Sequence, residues 1–144
     1  MLALDTNVLV YAHRREVAEH AAARTLVHAL AVGTEPWAIP WPCVYEFFSV
    51  VTNARIWKQE ASTPKQAWEQ LEAWFAAPSV HLLAETDALA GVLAGLATRP
   101  RVRGPVIHDA RIAAICLAHG VHKLVSRDRD FSLFPELRVE NPFR

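Results

Sequence analysis

Met1-Leu2-Ala3-Leu4-Asp5-Thr6-Asn7 opens the chain. Leu2, Ala3 and Leu4 make a short apolar run, which reads as a buried strand, and the run ends on a carboxylate. Residues 7–13 then predict a short helix with Asp5 or Thr6 as its capping residue. No basic segment precedes the apolar run and an acid follows it at once, so a secretion signal is not expected.

The same alternation continues down the chain. Residues 17–32 are alanine-rich and favour a helix, with Gly33 as its stop. Trp37-Ala38-Ile39 predicts a second strand between Pro36 and Pro40. Pro42 suits the first turn of a helix over about 42–54, which puts Val44, Phe47, Phe48 and Val51 on one apolar face. Thr63 and Pro64 cap and open a helix over about 64–76. Residues 80–83 predict a third strand. Thr86 and Asp87 start a helix to residue 97, a loop with proline and arginine covers 98–105, and a helix spans 108–119 with Gly120 as its stop. Residues 123–125 make a fourth strand and 137–140 a short fifth. Strands alternating with helices predict an α/β fold with a central, mostly parallel sheet of four to five strands flanked by helices. With no repeat and no linker, residues 1–144 are expected to form one domain.

Composition excludes several classes. A chain of 144 residues buries roughly 68–70% of the surface it exposes when unfolded, so no disulfide or metal staple is needed. Hydrophobic residues are 52% and charged residues 21%, which is too apolar for a disordered chain. The longest helical apolar stretch, 89–97, is far short of the roughly 20 residues of a membrane span. Cys43 and Cys116 sit among apolar neighbours and read as buried thiols of a cytoplasmic protein. The net charge is zero, but residues 99–130 hold seven bases against three acids. A basic segment that also carries carboxylates suits a polyanion site fitted with a metal; a solvated surface is the plainer alternative.

Open parallel sheets bind ligands beyond the carboxyl ends of their strands. Asp5 ends the first predicted strand and Asp128 follows the fourth. Asp109 falls in the first turn of the 108–119 helix, and Glu46 one turn into the helix after the second strand. Each has a plain alternative: Asp109 as a cap or helix-dipole partner, Glu46 as a surface residue, Asp128 and Asp130 as turn residues. Asp5 has the weakest structural excuse. Together, four carboxylates would raise one another's pKa values, and a hard divalent cation such as Mg²⁺ or Mn²⁺ resolves that repulsion with all-oxygen ligands. Such a metal activates water and stabilises charge on a phosphodiester. Asn7 and Ser126 stand where they could orient water or a carboxylate.

Four segments resemble the acidic motifs of PIN-domain nucleases: Leu4-Asp5-Thr6-Asn7, Glu46 within Cys43-Val44-Tyr45-Glu46-Phe47, His108-Asp109-Ala110-Arg111-Ile112, and Ser126-Arg127-Asp128-Arg129-Asp130. They occur in order over essentially the whole length, and the layout is most similar to VapC-type toxins of VapBC toxin–antitoxin pairs. The resemblance implies an endoribonuclease dependent on Mg²⁺ or Mn²⁺ that hydrolyses RNA with metal-activated water. By that resemblance Asp5, Glu46 and Asp109 are the core metal ligands and catalytic acids, and Asp128 the fourth. Ser126 and Asn7 match the small polar positions. The chain offers both Asp128 and Asp130; Asp128, two residues after Ser126, is preferred, with Asp130 as a turn acid beside Phe131. The implied partners are RNA, a VapB-like antitoxin and a second copy of the chain, with no membrane.

Arg111, Arg127 and Arg129 are candidates to steer the RNA backbone, Arg111 also as an ion-pair partner on its own helix. The loop from Arg99 to Arg103 is a further candidate for phosphate contact. Packing is the first expectation for most of the five tryptophans, with Trp37 and Trp41 open to base stacking. A serine hydrolase and a nucleotide triphosphate site are excluded by the absence of Gly-x-Ser-x-Gly and of a phosphate-binding glycine loop. The alternatives are a structure-specific DNA or flap nuclease using the same acids, and a non-catalytic RNA- or protein-binding module.

Overall fold

A computed structural model describes all residues, 1–144. Five strands form one sheet: β1 (Leu2–Leu4), β2 (Trp37–Pro40), β3 (Val80–Leu83), β4 (Lys123–Val125) and β5 (Arg138–Glu140). Their spatial order is β3-β2-β1-β4-β5 and every pairing is parallel. Seven helices connect them: α1 (Thr6–His13), α2 (His20–Val32), α3 (Trp41–Val51), α4 (Ala54–Trp57), α5 (Pro64–Phe75), α6 (Leu89–Ala97) and α7 (Val106–Ala118).

The chain builds outward from β1 to β2 and β3 on one side, then returns to place β4 and β5 on the other. The direction of winding therefore reverses between β1 and β4, and a crevice opens there beyond the strand ends. Leu4 is in register with Val125. The Asp5 amide donates to Val125 O at 3.0 Å, so the ladder runs one residue past β1.

Thirty buried hydrophobic residues form a continuous core on the sheet. β2 is buried along its whole length, as expected of a strand covered on both faces. Phe47, Val44 and Val51 of α3 are buried as their spacing predicts, and Phe47 meets Trp74 of α5 edge-on at 5.1 Å. Trp37 is fully buried, with Nε1–H donating to Ser79 Oγ at 3.1 Å, so it is a core residue. Both cysteines are buried and free.

Several helix boundaries differ from the sequence reading. α2 begins at His20 rather than 17, α3 ends at Val51 rather than 54, and α7 begins two residues early, at Val106. α6 begins at Leu89, and neither Thr86 nor Asp87 caps it. A 3-10 turn over Arg129–Leu133 was not anticipated. Thr63, by contrast, closes a full capping box with Gln66. Gly120 stops α7 with φ of 70°, a left-handed position that favours glycine. Gly33 ends α2 in extended conformation; a Cβ there would lie 2.9 Å from Ala29 O, so close backbone approach is what requires glycine.

Candidate active site

A cleft of about 320 Å³ opens at the crevice between β1 and β4, and Asp5, Glu46, Asp109 and Asp128 all line it. Residues spread over the chain thus converge because each follows a strand end or begins a helix at that edge. Asp5 directly follows β1, Glu46 lies in the second turn of α3, Asp109 in the first turn of α7, and Asp128 three residues past β4.

Asp5 is 4% exposed and held by a connected set of donors. Its Oδ2 accepts from Ser126 Oγ at 2.6 Å and from Asn7 Nδ2 at 3.0 Å. Asn7 Nδ2 also reaches Ser126 Oγ at 3.1 Å, and the Arg127 amide donates to Asn7 Oδ1 at 3.1 Å, which fixes the amide's orientation. The Asp128 amide donates to Ser126 Oγ at 2.9 Å. Asn7 and Ser126 therefore orient a carboxylate, one of the two roles expected of them. Asp5 Oδ1 accepts from the Cys43 thiol at 3.6 Å. Burial and Asp5 push that thiol's pKa well up, so it stays a neutral donor.

The sequence reading allowed Asp5 or Thr6 to cap α1. Asp5 occupies the N-cap position, but no side-chain cap forms. Both side chains are committed to the cleft instead: Thr6 Oγ1 donates to Glu46 Oε2 at 2.7 Å. Thr6 is thus a supporting residue that motif reading passed over.

Burial, opposed by the Ser126 hydrogen bond and assisted by Glu46 and Asp128, pushes Asp5 up to about 6. Burial, followed by the charges of Asp128, Asp5, Asp130 and Glu46, pushes Asp109 up to about 7. No lysine or arginine lines the cleft, so the fold itself supplies no counter-charge. An all-oxygen donor set with excess negative charge fits a hard divalent cation.

Asp130, the other candidate for the fourth acid, combines a turn role with a place beside Asp109 and Asp128. Its amide donates to Asp128 Oδ1 at 2.8 Å, which is a turn role. Its exposed carboxylate also lies with those of Asp109 and Asp128 within 4.8 Å of one another. Asp5 and Glu46 share the cleft with Asp109 and Asp128 but stand outside that trio.

The basic candidates divide. Arg111 pairs with Glu85, after β3, and not with an acid of its own helix. Arg127 pairs with Glu19 and lies over the Tyr11 ring. Arg99 is bonded to Glu136 and to Leu133 O, so it is tied to the chain rather than free for phosphate. Arg103 Nε donates to Pro100 O. Arg129 makes no ion pair and is exposed beside Asp128 and Asp130.

The sheet order and the acid-lined crevice define an α/β protein with a ligand crevice beyond its strand ends. The PIN-domain family description matches residues 2–137, and the chain belongs to that family. Among its relatives, the VapC ribonuclease Mb2897 of Mycobacterium bovis is 38% identical over 142 residues, covering 99% of this chain and 95% of that one. Ribonuclease VapC43 of Mycobacterium tuberculosis matches to the same extent. The fold superposes on a chain of VapBC2 from Rickettsia felis, solved bound to a DNA fragment from their promoter, with a TM-score of 0.70, 20% identity and 97% of each chain covered. No helix is long and apolar enough to cross a membrane.

Proposed function

We propose that this chain is a metal-dependent endoribonuclease, acting in the cytoplasm as the toxin of a VapBC-like pair. The observation that carries the reading is the convergence of Asp5, Glu46, Asp109 and Asp128 on one cleft without a basic side chain. Full-length likeness to proteins named VapC ribonucleases supports RNA as the substrate. Solved structures of similar fold that are VapBC complexes support a VapB-like antitoxin as partner. A second copy of the chain is the other proposed partner.

In this reading Asp5, Asp109, Glu46 and Asp128 hold Mg²⁺ or Mn²⁺, and Asp130 is placed to join Asp109 and Asp128. Bound there, the cation offers Lewis-acid stabilisation of the phosphate and a more acidic water. The chain's own contribution is orientation. Ser126 and Asn7 hold one oxygen of Asp5, and the other lies against the Cys43 thiol. Thr6 holds one oxygen of Glu46. Asp109 accepts no hydrogen bond and keeps both oxygens free. Arg129 is the exposed base best placed to attract the backbone.

The test is cleavage of a mixed RNA substrate by the purified chain with Mg²⁺, with Mn²⁺ and with a chelator, beside Asp5→Asn and Asp109→Asn. Cleavage should require a divalent ion and fall by at least a hundredfold in either variant, as when ligand geometry is lost. Metal-independent cleavage, or variants as active as wild type, would sink the reading. Single-stranded and flap DNA run in parallel distinguish the DNA nuclease.

A further inference from the structure

The acids do not account for the whole cleft wall: Val10, Tyr11, Val50 and Trp57 bound it as well. Trp57 is the last residue of α4, a single turn inserted after α3. Its indole is held on two sides. Nε1–H donates to Val50 O at 2.8 Å, and the Arg14 guanidinium carbon lies 4.1 Å from the ring centroid. Arg14 is only 5% exposed and is itself fixed, by Glu16, by Ser62 Oγ at 3.1 Å and by Glu60 O at 2.7 Å. A desolvated guanidinium over an indole strengthens the cation–π contact. Lys58, directly after Trp57, has φ of 55°, the one non-glycine residue in the left-handed region. Strain of that kind persists where surrounding structure dictates a placement.

Apolar packing alone would be met by a leucine. An aromatic ring already immobile beside an acidic cleft is what a flat ligand needs, because little further order is lost when it stacks. The acids repel bare phosphate, whereas a nucleobase presents a neutral face. We propose that Trp57 is the platform on which an unpaired base of the RNA stacks next to the cleaved phosphate, with Arg14 as the positioning residue that holds the platform. The inference rests on the ribonuclease reading and assigns a residue that contacts its substrate. Bases within an A-form duplex are stacked on one another and hide their faces, so the platform acts only on an unpaired base.

The experiment measures binding and cleavage of a short unstructured RNA, and binding of the same strand in a duplex. Wild type, Trp57→Ala, Trp57→Tyr and Arg14→Lys are compared. Trp57→Ala should weaken single-strand binding about five- to 150-fold and leave duplex binding unchanged. KM should rise with kcat nearly constant, the pattern of lost uniform binding. Trp57→Tyr should restore most of the affinity, and Arg14→Lys should lie between with the same KM-only pattern. An RNA lacking the base next to the cleaved bond should bind wild type as weakly as intact RNA binds Trp57→Ala. That comparison needs only wild type, so it decides even if a variant misfolds. Equal wild-type affinity for intact and abasic RNA at every position near the cut overturns the proposal. Equal loss of single-strand and duplex binding in Trp57→Ala also does, and the wall then serves the fold or a protein partner. A chain that cleaves RNA without these effects keeps the nuclease reading and loses the platform. A chain that cleaves nothing but shows them keeps the platform alone.

Discussion

Asp5 stands at the N-cap of α1, where a short polar side chain ordinarily accepts from the free amides of the first turn. Its carboxylate turns instead to Ser126, 121 residues away in sequence. That choice leaves the α1 cap unmade and gives a buried acid two donors on a single oxygen. The Ser126 hydrogen bond pulls Asp5 down against the effect of burial, so Ser126→Ala should raise the Asp5 pKa further. If Asp5 holds a metal as proposed, cleavage should fall about 10- to 100-fold, the usual cost of losing a residue that orients such a ligand. The acidic limb of the pH–rate profile should move to higher pH. A variant with an unmoved limb would show that Ser126 does not set the state of Asp5. The Asp5 signal was legible in the sequence because a carboxylate directly after an apolar strand has few structural uses. Thr6 and Trp57 carried no such signal: each residue type is ordinary for its local setting, and only its neighbours in space give it a part.

At the scale of elements, local chemistry was readable where it closed on itself. The Thr63–Gln66 capping box spans three residues and formed as expected. Gly120 took the left-handed turn. Thr86 and Asp87 suggested an equally local start for α6, but the helix begins at Leu89. Local propensity is a weak prior that packing overrides. α3 matters most to the site, because Glu46 reaches the cleft only while the opposite face of the helix is seated. Phe47 is fully buried against Trp74 and lies edge-on to His13 at 5.4 Å. Phe47→Ala should cost about 3–5 kcal/mol, the range for deleting a buried aromatic side chain. Denaturant melts would measure it. A cost below about 1 kcal/mol would mean that α3 is held by something other than this face.

At the scale of the whole molecule, the cleft stores unfavourable charge, and that makes stability depend on pH. Asp5 and Asp109 have folded-state values of about 6 and 7, against about 4 in an unfolded chain. Between these limits the folded state binds more protons than the unfolded state. Stability of the metal-free chain from these two groups therefore falls as pH rises from about 4 to 7. His13, lowered by burial, acts in the opposite direction, so the comparison with Asp109→Asn isolates the acids. In a chelator, the wild type should lose melting temperature relative to Asp109→Asn as pH rises through this window. Added Mn²⁺ should restore it most strongly at the high end, where it no longer competes with protons. Parallel melting curves for the two proteins at every pH would refute the stored-charge account.

The sequence by itself determined the class of fold, because alternating apolar runs and amphipathic helices have few ways to bury both strand faces except a parallel sheet between helices. It also singled out Asp5, Glu46, Asp109 and Asp128 as candidate acids. Only the tertiary structure decided what those acids share. The reversal of winding between β1 and β4 creates the crevice. The Asn7–Ser126–Asp5 contacts join the two ends of the chain across it. Tyr11 and Trp57 supply the aromatic wall, Asp130 lies beside Asp109 and Asp128, and Arg99 and Arg111 are paired with acids outside the cleft. Such contacts link residues tens of positions apart, and their energies depend on burial and distance, which no spacing along the chain encodes.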